Sequence, residues 1–308
     1  MFKILNYKKK RKLVAEPGGG LCNRLICLNN AINILREVED LKLQVVWWKE
    51  PECGCKFEDI LKPIPGISVV NYARPMETRR ELLRKGKLKE AIVATIQNCF
   101  FGYYYRESNI NRIAGYWSGI EDVTKEKVVS VIRSSAPGRV IYYRMGVEYR
   151  TECILSEKFF SNIVLDKFSS VKERFENRHY IGLHIRRTDH KLAIQASPLS
   201  FFCEAIEKEL SNSPEMLFYL ATDDKIVETE LKERYGKMIF VNEACARGRK
   251  SAEAIQDAAV DLLMLANADK IYGSIGSTFS EIAAAIGSKP LILFHFDELK
   301  ENVERGNV

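Results

Sequence analysis

The C-terminal half of the chain alternates between short apolar runs and longer amphipathic segments. In the longer segments apolar residues recur every three or four positions, which is typical of helices. The pattern predicts strands near 181–186, 216–221, 238–242, 269–273 and 290–295, and helices near 198–211, 224–235, 252–267 and 278–287. Such alternation predicts a parallel sheet with helices on both faces. Ser197 and Pro198 predict the start of the first of these helices, with the serine as its cap.

The N-terminal half begins with the same kind of pattern and then becomes ambiguous. Leu13–Ala15 predict a short strand that enters the loop Pro17–Gly20, and the apolar spacing after that loop predicts a helix. Val45–Trp48 predict a second strand. A loop-rich region with helices follows, and Ser156–Phe175 predict an amphipathic helix that leads into the second half.

The length of 308 residues exceeds what one hydrophobic core usually supports. We therefore expect two α/β domains, residues 1–160 and 161–308, that pack together with a crevice between them.

Composition excludes several functions. The net charge of +6 is modest for this length, and the basic residues are not interleaved with aromatic ones, so we expect no nucleic-acid partner. Of the eight cysteines only Cys53 and Cys55 form a close pair, and no second pair of metal ligands is suitably spaced, so we expect no metal. The sequence has no long apolar segment, which predicts neither a signal peptide nor a membrane span and favours the cytoplasm.

The strand predicted near 181–186 ends in two adjacent arginines, Arg186 and Arg187, after His184 and before Thr188 and Asp189. At the carboxyl end of a parallel strand, guanidinium groups lie where open α/β sheets bind ligands, and they match phosphate oxygens in a two-pronged geometry. The alternative is a structural salt bridge. We interpret the pair as an anion site.

Two more predicted strands end at the same edge. One ends in Asp223 and Asp224, which either cap the next helix, accept N–H donors from a purine, or bind a metal. The other runs through Gly273–Ser277 into a helix that starts at Thr278, where Thr278 and Glu281 fit a capping box. A helix start also presents backbone N–H groups to an anion, and Phe279 either stacks on a base or packs the helix onto the sheet.

The N-terminal loop Gly18–Gly20 with Asn23 and Arg24 resembles a phosphate loop only loosely. It lacks the Gly-Lys-Ser or Gly-Lys-Thr ending of a P-loop, and Asn23 stands where the dinucleotide fingerprint has its third glycine. The loop is either the wall of a ligand crevice, with Gly20 and Asn23 lining it, or a plain tight turn.

Taken together, the segments 184–189, 221–224 and 277–280, with a variant glycine motif at 18–23, resemble the superfamily of GDP-fucose-dependent fucosyltransferases in both order and spacing. The resemblance covers roughly 180–296 well and the region between the glycine loop and residue 150 thinly. It implies a GT-B architecture of two Rossmann-like domains, in which the C-terminal one binds GDP-fucose and the N-terminal one shapes the acceptor site.

The resemblance also implies an activity and residue roles. Fucose would pass with inversion from GDP-fucose to a glycan or glycoconjugate acceptor, without a metal or other cofactor. Arg186 and Arg187 would neutralise the leaving diphosphate. Residues that would hold the donor are His184, Asp223 or Asp224, Ser277, Thr278 and Phe279, whereas Asn23 would line the junction with the acceptor.

One departure from the family concerns the general base. Core-type relatives carry a glutamate in the loop after the arginines, whereas this chain has Gln195 there, which cannot take a proton. Either Asp189, His190 or an acidic residue of the first domain acts instead, or base strength counts for little. Two alternatives remain: a GT-B transferase that uses another nucleotide-sugar, and a binding homologue without catalysis.

Overall fold

The computed structural model describes residues 10–73, 83–89, 92, 110–114, 124–147, 149–188, 191–243 and 246–295. The chain forms two compact units. The first comprises Met1–Ile154 together with Arg249–Ala252, and the second comprises Leu155–Gly248 and Glu253–Val308. Arg249–Ala252 therefore group with the first unit although they lie within the second half of the sequence.

The first unit is built on a parallel sheet of five strands. They are β1 (Arg11–Pro17), β2 (Leu41–Lys49), β3 (Ile67–Ala73), β4 (Ile110–Ala114) and β5 (Val140–Met145), in the spatial order β3-β2-β1-β5-β4. Helices α1 (Leu21–Glu37) and α2 (Lys125–Ser134) belong to this unit. The predicted first strand, glycine loop, helix and second strand are confirmed, whereas the ambiguous region contributes β3, β4, β5 and α2.

Three asparagines on α1 hold the segment 149–154, which has no regular secondary structure. Asn29 Nδ2 donates to the Glu152 carbonyl (3.0 Å), and its Oδ1 accepts from the Ile154 N–H (2.8 Å). Asn30 Nδ2 donates to the Tyr149 carbonyl (2.9 Å), and Asn33 Nδ2 donates to the Glu152 carbonyl (2.9 Å). Side chains of one helix thus satisfy backbone groups that no strand pairs.

The second unit repeats this plan with greater regularity. Its parallel sheet consists of β6 (Tyr180–Ile185), β7 (Leu217–Thr222), β8 (Ile239–Phe240), β9 (Ile271–Ser274) and β10 (Leu291–Phe294). Its helices are α3 (Asn162–Glu173), α4 (Lys191–Ala196), α5 (Leu199–Asn212), α6 (Lys225–Tyr235), α7 (Ala252–Asn267) and α8 (Thr278–Gly287). The alternation predicted for this half is confirmed, and α4 is an additional short helix.

Strand order places a topological switch point in each sheet. In the second sheet the order is β10-β9-β6-β7-β8, so the chain moves outward from β6 in one direction through β7 and β8 and then in the other through β9 and β10. In the first sheet β1 lies between β2 and β5, so the switch point is at β1 and β5. Open α/β sheets bind ligands outside the carboxyl ends of the strands at such points.

Candidate functional site

The arginine pair lies at the switch point of the second sheet. Arg186 and Arg187 follow β6 directly, and β9 pairs with β6 up to the register of Gly273 opposite His184. The backbone N–H of Arg186 donates to Ser274 Oγ (3.2 Å), and the Ser274 side chain is fully buried. This bond ties the ends of the two strands together where the chain reverses direction.

The Arg187 guanidinium lies at this edge and is held there by two backbone carbonyls. Its Nη2 donates to the Ser197 carbonyl (2.8 Å) and its Nη1 to the Arg186 carbonyl (3.2 Å). Burial lowers the pKa of the half-buried guanidinium, and the negative charges of Asp223 and Asp224 oppose that shift. A guanidinium stays protonated in proteins even when its pKa is lowered in this way, so the site keeps a fixed positive charge.

The two aspartates after β7 have different partners. The Asp223 carboxylate accepts from the Arg187 N–H (2.8 Å) and from Thr188 Oγ1 (2.5 Å), so it shapes the turn that carries the arginines. Asp224 is the N-cap of α6, and its Oδ1 accepts from the Ile226 N–H (2.8 Å). Helix capping, one of the readings of this pair, therefore applies to Asp224, whereas Asp223 supports the arginine turn.

His184 is buried at the same edge. Its imidazole is buried and stacks on the Phe279 ring, with centroids 4.9 Å apart and an angle of 17°. Within the described residues, its Nδ1 is buried without a hydrogen-bond partner. Burial lowers the pKa of His184 to about 4, an effect that Arg186 reinforces and Asp223 opposes, so the ring is neutral at pH 7.

The segment after β9 reaches the same edge but is capped differently from the sequence prediction. Helix α8 begins at Thr278, and its N-cap is Ser277, whose hydroxyl makes no capping bond to the helix. Thr278 is the first residue of the helix and not its cap, so the capping box assigned to Thr278 and Glu281 is wrong. Ser277 is buried, and its carbonyl accepts from Ser280 Oγ (3.2 Å), which closes the first turn.

Ser197 has a role that sequence reasoning missed. The residue before α5 is Pro198, so Ser197 is not the helix cap predicted for it. Its buried hydroxyl donates to the Phe294 carbonyl (2.5 Å) and accepts from the Ile275 N–H (3.0 Å), while its carbonyl accepts from Arg187. Ser197 thus joins three segments of the edge, and local patterns carry no signal for contacts between residues so far apart in sequence.

The glycine loop occupies the switch point of the first sheet. Gly19 adopts a left-handed conformation (φ 76°), and a Cβ there would lie 2.8 Å from Asn23 Nδ2. Gly20 is the N-cap of α1. The buried Arg24 donates to the Gly19 carbonyl (2.7 Å) and the Trp48 carbonyl (2.6 Å) and pairs with Glu50 (2.7 Å). The arginine fixes this loop to the end of β2.

The residues weighed as a general base are only partly described. Gln195 is exposed on α4, whereas Asp189 and His190 lie outside the described residues. Among the residues that the structure describes, no group of three or more His, Cys, Asp or Glu side chains is placed to hold a metal ion. Over the same residues no helix has the length and apolar character needed to cross a membrane.

Comparison of the whole fold with solved structures gives matches over nearly the full chain. NodZ α-1,6-fucosyltransferase soaked with GDP-fucose has a TM-score of 0.58 and 16% identity, covering 95% of this chain and 97% of that one; NodZ has been solved from Bradyrhizobium. POFUT1 in complex with GDP has a TM-score of 0.52 and 11% identity, covering 94% and 99%. A mutant of Arabidopsis thaliana FUT1 in complex with GDP has a TM-score of 0.52 and 13% identity, covering 94% and 71%.

No family model and no curated protein sequence matches the chain. The fold is the α/β fold of GT-B type, with one parallel sheet in each of two units. The chain shares this fold with NodZ α-1,6-fucosyltransferase and with POFUT1.

Proposed function

We propose that the protein is a fucosyltransferase that transfers fucose from GDP-fucose to a glycan or glycoconjugate acceptor, with inversion and without a metal. The observation that carries the proposal is the meeting of Arg186, Arg187 and His184 at the switch point of the second sheet. The fold neighbours include proteins solved with GDP and with GDP-fucose, which supports the choice of donor.

The two arginines would stabilise the charge that develops as GDP leaves. Breaking the bond between the sugar carbon and the diphosphate oxygen moves negative charge onto that oxygen, so fixed cations there lower the barrier. Arg187 is already oriented by the carbonyls of Ser197 and Arg186, and the Asp223 carboxylate orients the turn. Such preorganisation avoids reorganising the cations when the bond breaks.

His184 would bind the donor as a neutral hydrogen-bonding group. The buried Nδ1 has no hydrogen-bond partner among the described residues, and leaving such an atom unsatisfied costs free energy. A ligand that supplies a hydrogen-bond donor or acceptor removes that cost. Phe279 holds the ring in place from one face. Ser277 and Thr278 at the start of α8 would complete the donor pocket.

Isothermal titration with GDP and GDP-fucose, first with a chelator and then with magnesium, tests the donor assignment. We expect metal-independent binding in the micromolar range, about −8 kcal/mol, that Arg186→Ala removes. Arg178→Ala is a matched control, because Arg178 precedes β6 at the opposite edge of the same sheet. Absence of GDP binding, or binding that requires magnesium, contradicts the proposal. If UDP competed with GDP for the site, the donor would instead be a UDP-sugar.

Gln195 supports one alternative, a homologue that binds the donor without transferring it. Its amide cannot accept a proton at the position where core-type relatives have a glutamate. Saturable GDP-fucose binding with neither hydrolysis nor transfer across a panel of glycan acceptors would establish this alternative. Release of fucose, even into water, would exclude it.

A further inference from the structure

A pair of buried thiols lies in the first unit. Cys53 and Cys55 are fully buried, and their Sγ atoms are 3.7 Å apart. They are separated by Gly54 alone and follow a tight turn in which Glu50 and Cys53 exchange both backbone hydrogen bonds (2.9 and 3.1 Å). Two thiols in contact within one rigid turn form a dithiol.

The dithiol is asymmetric, so the two sulfurs have different reactivity. The hydrogen bond between the two thiols lowers the pKa of Cys53 against the effect of burial, and the buried Arg24 cation lowers it further. The same hydrogen bond and burial raise the pKa of Cys55. Since the thiolate is the nucleophile, Cys53 is the sulfur that attacks an oxidant first.

Gly54, between the two cysteines, supports the segment Arg249–Ser251, named here the strap. The Gly54 N–H donates to the Arg249 carbonyl (2.7 Å). A Cβ on Gly54 would overlap the Lys250 carbonyl group and lie 2.7 Å from the Ser251 nitrogen. The strap backbone therefore packs directly against the Gly54 backbone. Its side chains are exposed.

We propose that Cys53 and Cys55 are a site of reversible oxidation, and that the disulfide they form releases the strap. A disulfide requires the sulfurs to approach from 3.7 Å to about 2.05 Å. In so short a loop that contraction bends the backbone at Gly54. Because the Gly54 N–H donates to the Arg249 carbonyl and the two backbones are in contact, a bend at Gly54 breaks that hydrogen bond.

Hydrogen peroxide is the oxidant. The Cys53 thiolate attacks one peroxide oxygen, giving a sulfenic acid and hydroxide, which takes up a proton to become water. The Cys55 sulfur then attacks the sulfenic sulfur, the S–S bond forms, and a second water leaves. Overall two thiols lose two hydrogens and one peroxide is reduced to two waters. Because both thiols are buried, the reaction requires local opening of the loop, so it is slower than that of an exposed thiol.

The strap itself supplies the readout, since trypsin cleaves after Arg249 and Lys250. After peroxide treatment of the full chain, peptide mapping should find a Cys53–Cys55 disulfide. Cleavage at the strap should be at least about tenfold faster because the local segment opens more often. Dithiothreitol should restore slow cleavage. In Cys55→Ser peroxide should produce no acceleration, whereas Cys153→Ser, which alters a half-buried cysteine of the same unit, should respond as the parent does.

Two further measurements keep the proposal testable if Cys55→Ser does not fold. Gly54→Ala should give fast strap cleavage in the reduced protein without peroxide. In the unaltered protein, amide hydrogen exchange at Gly54 should accelerate on oxidation and slow again on reduction. The proposal is overturned if peroxide leaves both thiols free or drives Cys53 to sulfinic acid instead. It is also overturned if the disulfide forms while cleavage and exchange stay unchanged.

Discussion

Asp223 and Arg187 meet through the backbone: the carboxylate of Asp223 accepts the Arg187 N–H at 2.8 Å rather than pairing with its guanidinium in the described contacts. The carboxylate also accepts from Thr188 Oγ1 at 2.5 Å. The first carboxylate after β7 thus fixes the backbone turn that carries the arginines after β6, and leaves the Arg187 guanidinium to its carbonyl partners.

Exchanging the two aspartates for asparagine should separate their roles. In Asp223→Asn an amide N–H faces the Thr188 donors, so we expect a loss of about 1 kcal/mol in the free energy of unfolding, and weaker GDP binding. In Asp224→Asn the new side chain still caps α6, so stability should change by only a few tenths of a kcal/mol. Urea unfolding and GDP titration of both variants check this, and equal losses of binding would contradict it.

Replacing Arg186 should affect turnover more than folding. If its cation stabilises the leaving diphosphate, Arg186→Ala should lower turnover of GDP-fucose at least about 30-fold, equivalent to about 2 kcal/mol of transition-state stabilisation. Steady-state kinetics measures this, with Arg178→Ala as the control that removes the same charge from the opposite sheet edge. Unchanged turnover in Arg186→Ala would rule out the assignment of the phosphate contact.

The low pKa of His184 predicts a pH dependence of stability. An unfolded histidine titrates near 6.5 and the folded one near 4, so between these values the unfolded chain binds more protons. The contribution of the neutral ring is therefore complete above pH 6.5 and is lost as the pH falls toward 4, by about 3 kcal/mol in total. His184→Gln should show a flatter dependence in this window.

Urea unfolding at a series of pH values measures the difference between the parent and His184→Gln. The difference curve is needed because Asp261 titrates in the same window with the opposite sign: burial raises its pKa to about 7, so its contribution weakens as the pH rises from acid toward 7. A constant difference between the two proteins from pH 4 to 7 would show that the folded His184 has an ordinary pKa.

Arg24 should be among the most sensitive positions of the first unit. It is fully buried and donates to Gly19 and Trp48 carbonyls while pairing with Glu50. Arg24→Ala leaves a carboxylate and two carbonyls without their cation, and should cost about 3–5 kcal/mol of unfolding free energy. Arg36→Ala, an exposed change on the same helix, should cost under about 0.5 kcal/mol in the same urea titration. Similar small losses in both would contradict this role.

The second unit was predictable from sequence because its signals are local. Each strand is a short apolar run, each helix has a clear period, and the motifs come directly after the strands, so parallel pairing brings them to one edge. The same reasoning placed Arg186, Arg187, Asp223 and Ser277 at that edge without any knowledge of distances.

The roles within the edge were less predictable because they depend on contacts that span the sequence. The local sequence predicts Ser197 as a helix cap, yet its hydroxyl hydrogen-bonds to Phe294 and Ile275. By sequence alone Asp223 and Asp224 are equivalent candidates for the helix cap. Their roles differ because the turn after β6 lies within hydrogen-bonding distance of Asp223. In the first unit β3, β4 and β5 lie in a stretch with mixed polarity, where tertiary pairing overrides local preference.

The seating of the strap on Gly54 has a consequence for synthesis of the chain. A ribosome makes the protein from its N-terminus, and domains generally fold as they emerge. Here Gly54 appears early, whereas Arg249–Ser251 follow only after most of the second unit has been translated. No continuous N-terminal fragment of the first unit contains the strap. During synthesis the Gly54 N–H therefore lacks its acceptor, the Arg249 carbonyl, until the strap has left the exit tunnel.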